Sequence, residues 1–117
     1  MPNSGWYQFA GGLTLGQVGS EGGTIVRDED HVDGARITLE EGPGYTRAQF
    51  TITCGVYGWM VHTRFFDKEE EASREVKAMK QGLEDVLAAI AVSTDINDEA
   101  QMDRARKACA RFVERYP

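Results

Sequence analysis

Cys54 and His62, in the stretch CGVYGWMVHTRFF (54–66), are the residues best equipped for chemistry. A thiol beside an imidazole is a nucleophile with its base, provided that one surface presents both. Other stretches offer weaker chemistry. RDEDHVDG (27–34) carries Asp28, Asp30 and Asp33 with His31. A calcium loop needs carboxylates at its first, third and fifth places, glycine at the sixth and glutamate at the twelfth. Counted from Asp28, those last three places hold Val32, Asp33 and Leu39, so the segment reads as a solvated hairpin loop. Gly16, Gly19, Gly22 and Gly23 lack the Gly-Lys-Ser/Thr ending of a phosphate loop, and no helical pattern follows them. Glu69, Glu70 and Glu71 open a helix, where the dipole favours negative charge. No serine, histidine and aspartate set can be assembled from spacing.

The totals narrow the field. A chain of 117 residues with 41% apolar content is one domain able to bury a core. Two cysteines make neither a disulfide framework nor a zinc spacing. The net charge of −6 disfavours nucleic acid and anionic membranes. Arg104, Lys107, Arg111 and Arg115 lie along one side of the last helix and read as its solvated face. The longest apolar run, VLAAIAV (86–92), is far too short to span a bilayer. The first sixteen residues hold no Lys or Arg and do not resemble a secretory leader. A cytoplasmic protein with reduced thiols is expected, with no cofactor or metal.

Three parts make up the domain. Residues 1–23 are Gly-rich and partly mobile, with a short edge strand around Trp6 to Phe9. Residues 24–66 form a β-meander of about four strands: Thr24–Asp28, Ala35–Glu41, Tyr45–Cys54 and Trp59–Phe66, the last three alternating apolar with polar side chains. Residues 67–117 form two helices. Asp67 caps the first, with Glu70 at capping-box spacing. Its stripe runs through Ala72, Val76, Met79, Leu83 and Ile90, with Gly82 a weak point. The second carries Met102, Ala105, Cys109, Phe112 and Tyr116. Strands first and helices last predict an α+β fold, an antiparallel sheet with two C-terminal helices packed on one face.

Register decides whether Cys54 meets His62, because a slip of one residue exchanges the faces. If Gly55–Gly58 is a four-residue loop, Cys54 opposes Trp59, Ile52 opposes Val61 and Ala48 opposes Phe65. The large apolar side chains then share one face, Cys54 is core, and His62 stands outside. Pairing Ile37 with Phe50 and Leu39 with Ala48 extends that face and sets Glu40 against Arg47. The outer face becomes two rows, Arg36–Thr51–His62 and Thr38–Gln49–Arg64, with Met60 and Phe66 at its edges.

Two functions suit that face. The first is a non-catalytic domain acting through protein contacts, as a homodimer or on another protein, with Met60 and Phe66 in the interface. The second is a site for a small anionic ligand, or an enzyme, using Arg36, Thr51, His62 and Arg64 on a phosphate or carboxylate. The Gly-rich segment is long enough to fold over the same face and enclose a pocket.

Overall fold

β-branched and aromatic residues alternate with polar ones through much of residues 24–66, and a sheet results. The computed structural model describes residues 5–42 and 49–117. Its strands are β1 (Trp6–Gln8), β2 (Thr24–His31), β3 (Ala35–Glu41), β4 (Phe50–Val56) and β5 (Met60–Phe66). They lie in chain order, each antiparallel to the next. Two helices follow, α1 (Glu69–Ala91) and α2 (Glu99–Arg115). The fold is α+β, with five strands rather than four; the additional one is the short N-terminal strand. The expected strand start at Tyr45 to Ala48 and the turn through Pro43-Gly44 fall on positions outside the described residues, whereas Glu40, expected opposite Arg47, pairs with Thr51.

One face of the sheet carries the core. Ile37 and Ile52 are fully buried against Val76, Met79 and Leu83 of α1. Burial of such side chains, at about 25 cal/mol per Å², holds the helix on the sheet. α2 packs on α1 through Cys109, Phe112 and Tyr116. α1 runs unbroken past Gly82, which is buried beneath the rings of Phe112 and Tyr116. The cap of α1 differs from the expected one: Lys68 holds the N-cap position and supplies no side-chain bond, so three glutamates in the first turn meet the dipole instead. α2 is capped by Asp98, whose carboxylate accepts from the Ala100 and Gln101 amides. Those hydrogen bonds, Gln101 first, hold its pKa below the ordinary aspartate value. Among the described residues no helix is long and apolar enough to cross a membrane.

Two registers depart from expectation. Ile37 opposes Cys54 rather than Phe50, and Leu39 opposes Ile52. That displacement is even, so the apolar side chains keep their face. The β4–β5 change is odd and does exchange the faces. The hairpin loop is three residues, Tyr57-Gly58-Trp59, and Gly58 takes φ 81° to close it. Val56 then opposes Met60, and Cys54 opposes His62. Met60, His62, Arg64 and Phe66 therefore point to the helices, while Val61, Thr63 and Phe65 point away.

The reason lies outside the hairpin. β5 has apolar side chains on both faces, so burial alone barely ranks the two registers. The helical side adds polar partners. His62 Nε2 donates to the Tyr116 carbonyl, and Arg64 Nε donates to that of Pro117. Both are main-chain acceptors at the end of α2, where carbonyls without helical partners need donors. Arg64 Nη1 also meets Glu75 Oε1 of α1 at 2.6 Å.

RDEDHVDG is not a loop either. β2 continues to His31, and Val32-Asp33-Gly34 makes the turn, with Gly34 at φ 108°. Acidic residues persist in this strand because each meets a partner. Glu29 faces the helical side and binds Lys80 Nζ at 2.6 Å and Arg27 at 2.9 Å. Burial pushes the Glu29 carboxyl up, but these two cations outweigh it and leave its pKa below the usual value.

Candidate functional site

The outer face of the sheet offers the most developed surface. Cross-strand pairing builds it in rows: Tyr7, Asp30, Arg36, Gly55 and Val61 in one, then Asp28, Thr38, Thr53 and Thr63, then Glu40, Thr51 and Phe65. The Gly-rich segment crosses this face. Thr14 Oγ1 donates to Asp28 Oδ2 at 2.8 Å, and the Phe9 ring lies 3.6 Å from the Arg36 guanidinium carbon. Gly19 and Gly23 press on Glu40 so closely that a Cβ at Gly19 would sit 2.3 Å from its carboxyl carbon. These two glycines are required by close approach.

Between the crossing segment and the β4–β5 turn lies a groove of about 500 Å³. Thr38, Thr53 and Gly55 line it from the sheet, Ile25 and Val61 add apolar walls, and Tyr57 lines it from the turn. Every charge around it is engaged. Arg36 makes a two-pronged contact with Asp28, Nε to Oδ1 at 2.9 Å and Nη2 to Oδ2 at 2.7 Å. The hydrogen bond to Asp28 raises the pKa of Arg36 further above its already high value. Asp30 accepts from Tyr7 at 3.0 Å and from Tyr57 at 2.9 Å. Tyr57 is pushed up to about 12, by partial burial first and then by Asp30. Buried Glu40 accepts from the Gly23 amide at 2.9 Å and the Glu21 amide at 3.3 Å. The buried Thr53 hydroxyl has no partner among the described residues.

The six residues singled out by sequence divide between the two faces. Arg36 and Thr51 are on the outer face. Met60, His62, Arg64 and Phe66 are on the helical face, with Phe66 buried and Met60 packed against the core. No single surface holds all six, because β5 is turned over relative to the expected register. Sequence reasoning missed Asp28, Tyr57, Thr53 and Val61. A signal for Asp28 was present: a three-residue turn at Val32-Asp33-Gly34 places Asp28 and Asp30 on the Arg36 side.

The turned strand also brings Cys54 and His62 onto one face, directly opposite, where the expected register separated them. The pair is nevertheless not a nucleophile and its base. Burial pushes the Cys54 thiol up to about 12, against a smaller opposing pull from Arg64. The His62 ring is committed to Tyr116 and stands edge-on to Phe112, centroids 6.4 Å apart. Alkylation of Cys54 in the native protein at neutral pH is expected to be about a hundredfold or more slower than in an unfolded control, since access requires opening the core. Peptide mass spectrometry follows it separately from Cys109. A fast native rate would contradict this placement of the thiol.

His31 is buried, accepts the Asp33 amide on Nδ1 at 3.0 Å, and meets Trp6 edge-on at 4.9 Å, a packing role. Among the described residues, no group of three or more His, Cys, Asp or Glu could hold a metal ion. Comparison of the chain with protein-family models, curated proteins and solved structures finds no match.

Proposed function

We propose that this protein is a non-catalytic binding domain that acts through protein contacts, its first partner being a second copy of itself along β5. The exposure of Val61 and Phe65 carries this reading: they are 78% and 62% accessible on a strand at the sheet edge. An edge strand offers unpaired backbone groups to another strand, and apolar side chains on it favour pairing. The pattern of β5 is self-complementary. In antiparallel pairing centred on Thr63, Val61 of each copy stands opposite Phe65 of the other, and Thr63 faces itself. Opposed apolar pairs are the unit of sheet stabilisation.

The expected wild-type mass in light scattering at micromolar concentration is that of a dimer. Val61→Asp with Phe65→Asp is expected to yield a monomer with an unchanged circular dichroism spectrum. Thr63→Cys is expected to form a covalent dimer on mild oxidation, with the native thiols buried. A wild-type protein that is monomeric up to about 100 μM, well above typical specific affinities, would remove this reading.

A further inference from the structure

We infer that the outer-face groove is a binding site for an uncharged, planar, largely apolar small molecule carrying one carbonyl-type acceptor. Its size comes first. About 500 Å³ falls within the range of sites that hold drug-sized ligands. Its lining comes second: Ile25 and Val61 are apolar, and Thr38, Thr53 and Gly55 present short side chains or none on a pleated floor. A flat molecule can lie along such a floor beneath the Gly-rich segment.

Charge fixes the class. Among the described residues the lining holds one carboxylate, Glu40, already bound by two amides; Asp28 and Asp30 lie behind Arg36 and Tyr57, which line the groove and bind them. The single cation is already neutralised by Asp28. An anionic ligand would meet the negative charge of Glu40 and a guanidinium whose charge Asp28 already balances, which is unfavourable. A cationic ligand would have to take carboxylate oxygens from donors that already hold them. An uncharged molecule incurs neither cost. A fixed donor remains for it: Arg36 is a third exposed, uses Nε and Nη2 on Asp28, and keeps Nη1 without a partner among the described residues. The ring of Phe9 and the two bonds to Asp28 fix the guanidinium in place. A donor held in one orientation binds at lower entropic cost than a free arginine.

The test uses Nile red, an uncharged planar molecule with a carbonyl acceptor, titrated into the full chain and followed by fluorescence. Anilinonaphthalene sulfonate serves as the anionic counterpart. Saturable one-to-one binding of Nile red is expected, about tenfold or more tighter than that of the sulfonate. Thr53→Leu fills the floor and breaks no hydrogen bond made by that hydroxyl; it is expected to weaken Nile red about tenfold while the melting temperature holds. In the wild-type protein, amide resonances of Gly55 and Tyr57 are expected to shift on adding the dye, a readout that needs no variant. Absence of saturable binding, or dye binding that leaves those two amides unmoved, would overturn the site. Equal or tighter binding of the sulfonate would overturn the ligand class.

Discussion

Replacing Arg36 by methionine is expected to lower the stability of the fold by about 3 kcal/mol, the lower end for breaking a buried ion pair. Asp28 is buried with its side chain wholly out of contact with solvent, and Arg36 supplies two of the hydrogen bonds that its carboxylate accepts. Methionine retains most of the arginine stem but leaves the carboxylate with Thr14 as its remaining partner among the described residues. The partial exposure of Arg36 lets water relieve some of that loss, hence the lower end of the range. Urea unfolding of the variant measures it. The companion variant carrying both Arg36→Met and Asp28→Leu should recover much of the loss, because an apolar pair needs no charge partner. Lys107 and Asp103, an exposed pair on α2, provide the contrast: Lys107→Ala should leave the midpoint where it is. An Arg36→Met midpoint equal to the wild type would show that the Asp28 contact is not formed in solution.

Gly82→Leu is expected to cost a further large amount, about 3 kcal/mol, the upper end for overpacking. In an ordinary helix interior the change from glycine would gain about 1 kcal/mol from propensity. Here the sign reverses. A Cβ at Gly82 would lie 2.8 Å from Tyr116 Cε2 and 2.9 Å from Phe112 Cε2, and a leucine side chain would occupy the space of both rings. Tyr116 cannot simply retreat: its hydroxyl donates to the Ala78 carbonyl of α1 at 3.1 Å, and its own carbonyl holds His62 of β5. Displacing α2 therefore loosens the β5 contact too. Thermal unfolding and near-ultraviolet circular dichroism check this, with a lower melting temperature and weakened aromatic bands expected. A variant as stable as the wild type would mean that α2 does not sit so close to α1.

These contacts show which parts of the fold the sequence could announce. β3 and β4 alternate strongly, with Ile37, Leu39, Ile52 and Cys54 apolar on one face only, and their face assignment survives a displaced register. The stripes Ala72–Val76–Met79–Leu83 and Ala105–Cys109–Phe112 are likewise unambiguous, since polar residues leave each helix one way to pack. β5 is different. Met60 and Phe66 balance Val61 and Phe65, and the deciding partners of His62 and Arg64 lie 54 and 53 positions away. Local alternation contains no trace of so distant a preference. The acidic end of β2 is hidden in the same way, as Glu29 depends on Lys80, 51 positions along. The candidate groove was legible as an outer face containing Arg36, with the Gly-rich segment free to fold over it and enclose a pocket. Its walls come from the Gly-rich crossing, which has no periodic pattern to read, and from the turned-over strand, whose alternation does not say which face is inward.

The strand order carries a kinetic consequence. Because each strand pairs with its neighbour in the chain, the meander can be assembled from successive local hairpins, and few long loops must close before contacts repay them. The N-terminal strand is the exception. Its Trp6 donates through Nε1 to Glu84 Oε2 across 78 positions, a contact that requires α1 already to be seated on the sheet. During synthesis β1 emerges first yet cannot complete its contacts until α1 has left the ribosome. A strand made before α1 is thus secured after it, and its docking records that the sheet and helix have been built.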